Sequence, residues 1–163
     1  MVINGEALEF YKPVIPFVST KIKHSSGTSY GLGEAGYDIR IKQNILFRDN
    51  MVYVGDTLVG TPGNFTLASS IEKFRMPDHL VAIVHDKSTW ARQGLSVFNT
   101  VIEPGWEGFL TLELVYHGKK DLLIPSGAGI AQVIFHRIAI PASYDGKYQN
   151  QPDKPVESIW QRS

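Results

Sequence analysis

Short segments rich in Val, Ile, Leu, Phe, Tyr and Thr recur through the middle of this chain, and their spacing constrains the fold more than any other feature. They run from Met51 to Val59, Leu80 to His85, Leu95 to Ile102, Phe109 to Tyr116, Asp121 to Ile124 and Ile130 to Ile140. Turn chemistry separates them: Thr61-Pro62-Gly63-Asn64, Glu103-Pro104-Gly105, His117-Gly118-Lys119 and Pro125-Ser126-Gly127. β-branched and aromatic residues suit a pleated, half-buried surface, while Gly, Pro and Asn close tight turns. The pattern predicts an all-β antiparallel sandwich or barrel. Within this region only Ser88 to Gln93 reads as helical, with Ser88 or Thr89 as N-cap and Gly94 as the stop. That predicts one short helix inserted between strands, its first amides open to an anion.

The chain is long enough, at 163 residues, for one domain with its own core, and 43% apolar with 20% charged residues is ordinary for a globular protein. Formal net charge is zero and no long basic run occurs, so a nucleic-acid polymer is not an expected partner and any phosphate grip is local. Cysteine is absent, which excludes disulfides, a thiolate nucleophile and a thiolate zinc site. The start, MVINGEALEF, lacks the basic and apolar regions of a signal peptide, and no apolar run approaches membrane-spanning length. The expectation is a soluble, cytoplasmic protein. From Ala142 the composition turns polar, SYDGKYQNQPDKPVESIW, which predicts a β domain over 1–141 and a flexible tail over 142–163.

Chemistry concentrates between Lys87 and Glu113: KSTWARQG, EPGWEG and TLE. Lys87, Ser88, Thr89 and Arg92 offer cations and hydroxyls to a polyanion. Ser88 and Arg92 are four residues apart, on one face of a helix. Glu113 stands alone as a carboxylate in the apolar segment FLTLELVY, where burying an ionised acid is costly. From its neighbours alone it reads equally as a surface carboxylate paired with a lysine or as a buried acid–base group. Together these residues suggest an enzyme acting on a nucleotide.

Several motifs occur in order: Ser29-Tyr30-Gly31, Gly36-Tyr37-Asp38-Ile39-Arg40, KSTWARQG, EPGWEG, TLEL, GIAQVIF and GKYQNQ. Over roughly Pro13 to Gln151 the chain thereby resembles the deoxycytidine triphosphate deaminase family, within the deoxyuridine triphosphatase-like superfamily. The resemblance implies a distorted double-stranded β fold, a homotrimer with sites at subunit interfaces, and magnesium carried by the triphosphate. It also implies zinc-independent hydrolytic deamination of dCTP to dUTP and ammonia. This agrees with the residues, because zinc-dependent nucleobase deaminases need cysteine ligands, and the five histidines show no ligand spacing.

By resemblance, Glu113 is the general base, Ser88 holds the attacking water and Arg92 stabilises charge at the reacting centre. Lys87, Ser88 and Thr89 meet the phosphates. Thr111 and Leu112 lie on a strand edge beside the base, and Gln132 contacts the nucleotide. Tyr144, Lys147 and Gln151 close over the triphosphate, from a tail expected to be mobile until substrate binds. Asp38 and Arg40 read as an internal ion pair, and Trp90, Trp106 and Phe109 as core or interface. The chain is shorter than typical members, so two other readings stay open: a bifunctional deaminase–diphosphatase yielding dUMP, and a non-catalytic nucleotide-binding module. A plain deoxyuridine triphosphatase fits less well, since Ile102-Glu103-Pro104-Gly105-Trp106 stands where that family has an I-D-x-x-Y-like segment.

Overall fold

A computed structural model describes residues 1–59 and 63–160. In chain order the elements begin with β1 (Val2–Ile3), α1 (Gly5–Tyr11), β2 (Val14–Ile15), β3 (Ile22–Lys23), β4 (Ser29–Leu32) and β5 (Tyr37–Arg40). There follow β6 (Ile45–Arg48), β7 (Met51–Val54), β8 (Thr57–Leu58), β9 (Phe65–Arg75), β10 (Leu80–Asp86) and α2 (Ser88–Ala91). The last are β11 (Leu95–Val97), β12 (Val101–Ile102), β13 (Glu107–Tyr116), β14 (Leu122–Ile124) and β15 (Gly129–Arg137).

Among the described residues the strands form three sheets, ordered β12-β10-β15-β5-β4-β3 with β1 also on β15, β11-β13-β9-β2, and β14-β6-β7-β8. All named strand pairs are antiparallel. The all-β expectation holds. The core lies between the sheets, where Tyr37, Ile39, Phe74, Leu80, Leu114 and Phe135 are fully buried. No helix among the described residues is long and apolar enough to cross a membrane.

Several expected segments divide. Met51 to Val59 is the hairpin β7–β8, turned at Gly55 with φ +59°, a left-handed conformation glycine adopts without a Cβ clash. Of the turn expected after it, Thr61 and Pro62 lie outside the described residues. Leu95 to Ile102 is two strands in different sheets, β11 beside β13 and β12 beside β10. A second helix, α1, lies between β1 and β2, where only one helix was expected in the chain. It buries Leu8 alone and ends at Lys12, whose N–H bonds the Leu8 carbonyl just before Pro13.

The helix α2 begins at Ser88 as expected, but its N-cap is Lys87, and no side chain caps it. It is shorter than Ser88 to Gln93, passing into a turn that ends at Gly94 with φ +95°. The register of β13 against β9 shifts where Phe109 faces Lys73 and Thr111 faces Ser69. The Leu110 N–H at this irregularity is satisfied by the buried Ser70 hydroxyl at 2.9 Å, which itself donates to the Glu72 carbonyl at 2.7 Å. Asp38 and Arg40 do not pair with each other. Arg40 bonds the fully buried Glu72 through its Nε at 2.8 Å, and Asp38 takes the Lys87 ammonium. Each strand residue finds its counter-charge on a different neighbour.

Candidate active site

Glu113 lies on β13 opposite Leu67 of β9 and lines a cavity of about 980 Å³. Its Oε2 is buried and finds no hydrogen-bond partner among the described residues. Burial pushes its carboxyl above the usual carboxylate range, opposed by a backbone hydrogen bond. Such a group gains and loses a proton more readily near neutrality than a solvated glutamate. Its carbonyl accepts the Phe98 N–H at 3.1 Å, which fixes the backbone at the cavity floor.

Thr111, two residues earlier, lines the same cavity and is 7% exposed. Its hydroxyl donates to the Gln151 Oε1 at 3.2 Å and accepts the Val156 N–H at 3.0 Å. Thr111 is not at a free edge, because residues of the C-terminal segment cover it. Leu112 points the other way: its side chain is 1% exposed in the core and does not line the cavity. Alternation along the strand separates the two.

The segment after Ala142 lies against β13 rather than apart from it. Trp106 Nε1 donates to the Tyr148 carbonyl at 2.6 Å, and Phe109 N–H to the Gln151 carbonyl at 3.1 Å. Gln149 joins four backbone groups: its amide donates to the Gly105 and Tyr144 carbonyls, and its oxygen accepts from the Glu107 and Asn150 N–H groups. Tyr144 and Gln151 line the cavity. Lys147 does not; its ammonium donates to the Ile159 carbonyl, whose N–H bonds the Tyr148 hydroxyl at 3.1 Å.

The cationic segment lies elsewhere on the protomer. Ser88, Thr89 and Arg92 are exposed, and neither they nor Lys87 and Gln132 line the cavity. Gln132 sits on β15 between His85 and Asp38 in register. Sequence reasoning missed the wall beyond Gln151, where Lys154, Val156, Glu157 and Ser158 face the cavity. A polar, aperiodic stretch gives no signal for this. Phe65 and Leu67 were missed as well, because β9, which sets Leu67 opposite Glu113, was not among the expected strands.

The sheets and this cavity define a protein of the dUTPase-like fold. A mutant dUTPase from phage phi11 of Staphylococcus aureus, whose structure details the coordination of a structural Mg(II) ion, superposes with TM-score 0.52 at 13% identity, over 70% of this chain and 84% of that one. The 2'-deoxycytidine 5'-triphosphate deaminase of Agrobacterium tumefaciens superposes with TM-score 0.58 at 15% identity, over 83% of this chain and 47% of that one. Residues 39–138 match the family described as dCTP deaminase-like. The dCTP deaminase of Protochlamydia amoebophila is 33% identical over 164 residues, covering 86% of this chain and 87% of that protein. The chain belongs to the dCTP deaminase-like family.

Proposed function

We propose that this protein deaminates dCTP to dUTP and ammonia, with Glu113 as general base and without zinc. The observation that carries the reading is the half-buried Glu113 carboxylate at a nucleotide-sized cavity, its Oε2 buried and without a partner among the described residues, in a chain of this family. Glu113 takes a proton from water, and the oxygen bonds C4 of the cytosine. Glu113 passes that proton to N3 of the ring, then takes the remaining hydroxyl proton and gives it to the amine as C4=O forms, the C4–N bond breaks and ammonia leaves. Ser88 holds the water, and Arg92 stabilises charge developing on the base; fixed donors are most effective where water is scarce. Tyr144 and Gln151 close the cavity around the nucleotide.

The site is completed between subunits of a homotrimer. Lys154 is the one cation among the described residues lining the cavity, against the carboxylates Glu103, Glu113 and Glu157. That balance repels a triphosphate unless another protomer brings cations. Ser88 and Arg92 are exposed and outside their own cavity, as donors to a neighbour's cavity would be. Val101, 54% exposed, stands in register with the half-buried Ile83, itself opposite Ile134, giving an apolar face beside the cavity.

Magnesium would travel with the triphosphate. Among the described residues no three His, Cys, Asp or Glu side chains gather as a metal cage, and magnesium is commonly held through substrate phosphates. When bound it supplies charge neutralisation on the phosphates. The test is incubation of purified protein with dCTP or dUTP and magnesium, followed by chromatography. dUTP and ammonia from dCTP, with dUTP left intact, is the expected result. Release of dUMP would make the enzyme bifunctional, and unchanged dCTP would overturn the reading.

A further inference from the structure

Lys87 has the composition of a phosphate grip and the position of an anchor. Its ammonium donates to Asp38 Oδ2 and, at 3.2 Å, to the Ser29 hydroxyl, which itself donates to Asp38 Oδ2 at 3.3 Å. The side chains of Lys87 and Asp38 are 13% and 3% exposed. The Asp38 Oδ1 is buried without a partner among the described residues, and Lys87 is the one cation there within ion-pair distance of this carboxylate. Drawing Lys87 away toward a phosphate would leave a buried carboxylate uncompensated, a far less favourable state than the pair.

The same residue begins α2. The Lys87 carbonyl accepts the Trp90 and Ala91 N–H groups at 3.0 Å, and the Arg92 N–H bonds the Ser88 carbonyl at 3.0 Å. Trp90, 4% exposed, donates its Nε1 to the Gly129 carbonyl at 2.7 Å. A Cβ at Gly129 would stand 1.8 Å from the Ser29 carbonyl oxygen, so only glycine lets β15 come this close to β4 beside the Lys87–Ser29–Asp38 cluster. A helix of four residues has little stability of its own. Lys87 and Trp90 therefore fasten both ends of its first turn to β5 and β15.

We propose that the Asp38–Lys87 pair is a positioning device that sets the aim of Ser88 and Arg92. This rests on the roles given above to Ser88 and Arg92. The test compares Lys87→Met, Asp38→Asn, their double variant and Lys87→Arg on dCTP and on dCMP. Hydrogen exchange of residues 88–94 is measured on each free protein.

The single variants should speed exchange in that segment about ten-fold or more and lower kcat on both substrates by a common factor. The double variant should be no worse than the poorer single one, and Lys87→Arg should recover much of both readouts. If the larger changes prevent folding, Ser29→Ala keeps both charges and should loosen the segment mildly in the same direction. A Lys87→Met protein whose KM rises for dCTP but not dCMP, while Asp38→Asn is unaffected, would overturn the anchor. So would unchanged exchange in both single variants. If exchange quickens as stated while even the wild-type protein leaves dCTP intact, the anchor stands and the deaminase reading fails.

Discussion

The Phe109 N–H donates to the Gln151 carbonyl at 3.1 Å, and Gly108 forms a parallel bridge with Gln151, so the C-terminal segment extends the sheet at β13. This separates two parts of that segment. Truncation after Gln151 keeps the bonds to Gly105, Trp106, Glu107 and Phe109 and removes the outer cavity wall with its Val156–Thr111 bond and the exposed Lys42–Asp153 pair. It should leave Tm within a few degrees and lower dCTP turnover. Truncation before Tyr144 removes those bonds and uncovers Trp106, which is 6% exposed. Lost hydrogen bonds and burial should then lower Tm by about 10 °C. Calorimetry on the two truncations checks this, and equal Tm values would show that 144–151 has no structural part.

Gly108 is where that contact is tightest. Its φ is +151°, and a Cβ would stand 2.6 Å from the Gln151 nitrogen and 3.1 Å from Trp106 Cζ2. Gly108→Ala combines backbone strain with a clash and should destabilise by about 1–3 kcal/mol. It should also speed proteolysis between 144 and 160. Denaturant unfolding alongside limited proteolysis reads both, and a wild-type midpoint would contradict the geometry.

The fold class, β13 and the start of α2 were legible because alternation, a turn signal and a glycine stop are local patterns. Glu113 stood out for the same reason: one carboxylate in an apolar strand. What could not be read depends on residues distant in sequence. Lys87 and Asp38 are 49 positions apart, and nothing local shows that these two charges meet. Asp38 and Arg40 looked like partners because they are close in sequence, yet each pairs across to another element. The tail looked unpacked because its cohesion comes from polar side chains such as Gln149 bonding backbone, which leaves no hydrophobic period. Helix α1 was missed because it buries a single residue.

Glu113→Gln should fold, bind nucleotide and lose deamination by about a hundred-fold or more, as removal of a positioned base does. It also has a pH signature. Burial raises the Glu113 pKa in the folded protein above the usual carboxylate range. The folded state therefore binds more proton than the unfolded state, and this group's contribution, full at low pH, is lost as pH rises through the folded pKa. Glu113→Gln should accordingly be more stable than wild type near pH 7, with the gain vanishing below about pH 4. Thermal melts across that range test it; a gain that grows on acidification would place the carboxylate in a solvated or charge-paired environment instead.

Without cysteine, a zinc site of the usual nucleobase-deaminase type cannot form. Elemental analysis of purified protein should find no stoichiometric zinc. Chelation should stop turnover only by removing magnesium from the triphosphate, and magnesium alone should restore it in full. Recovery that needs zinc would refute the role given to Glu113.

Assembly gives the sharpest check on the shared site. Light scattering should show three times the 18.2 kDa of one chain. Beyond mass, an inactive Glu113→Gln chain and an inactive Arg92→Ala chain can be coexpressed and purified as mixed trimers. If Glu113 of one subunit works with Arg92 of the next, some interfaces in the mixture carry both wild-type residues. Random association in a cyclic trimer should then recover roughly a quarter of wild-type activity over the whole population, inactive parental homotrimers included, and roughly a third in the mixed trimers alone. If each cavity instead used its own Arg92, no mixed trimer would hold an intact site and the mixture would stay as inactive as either parent. That outcome would return Arg92 to the surface of its own protomer and leave the carboxylate-rich cavity without its cation.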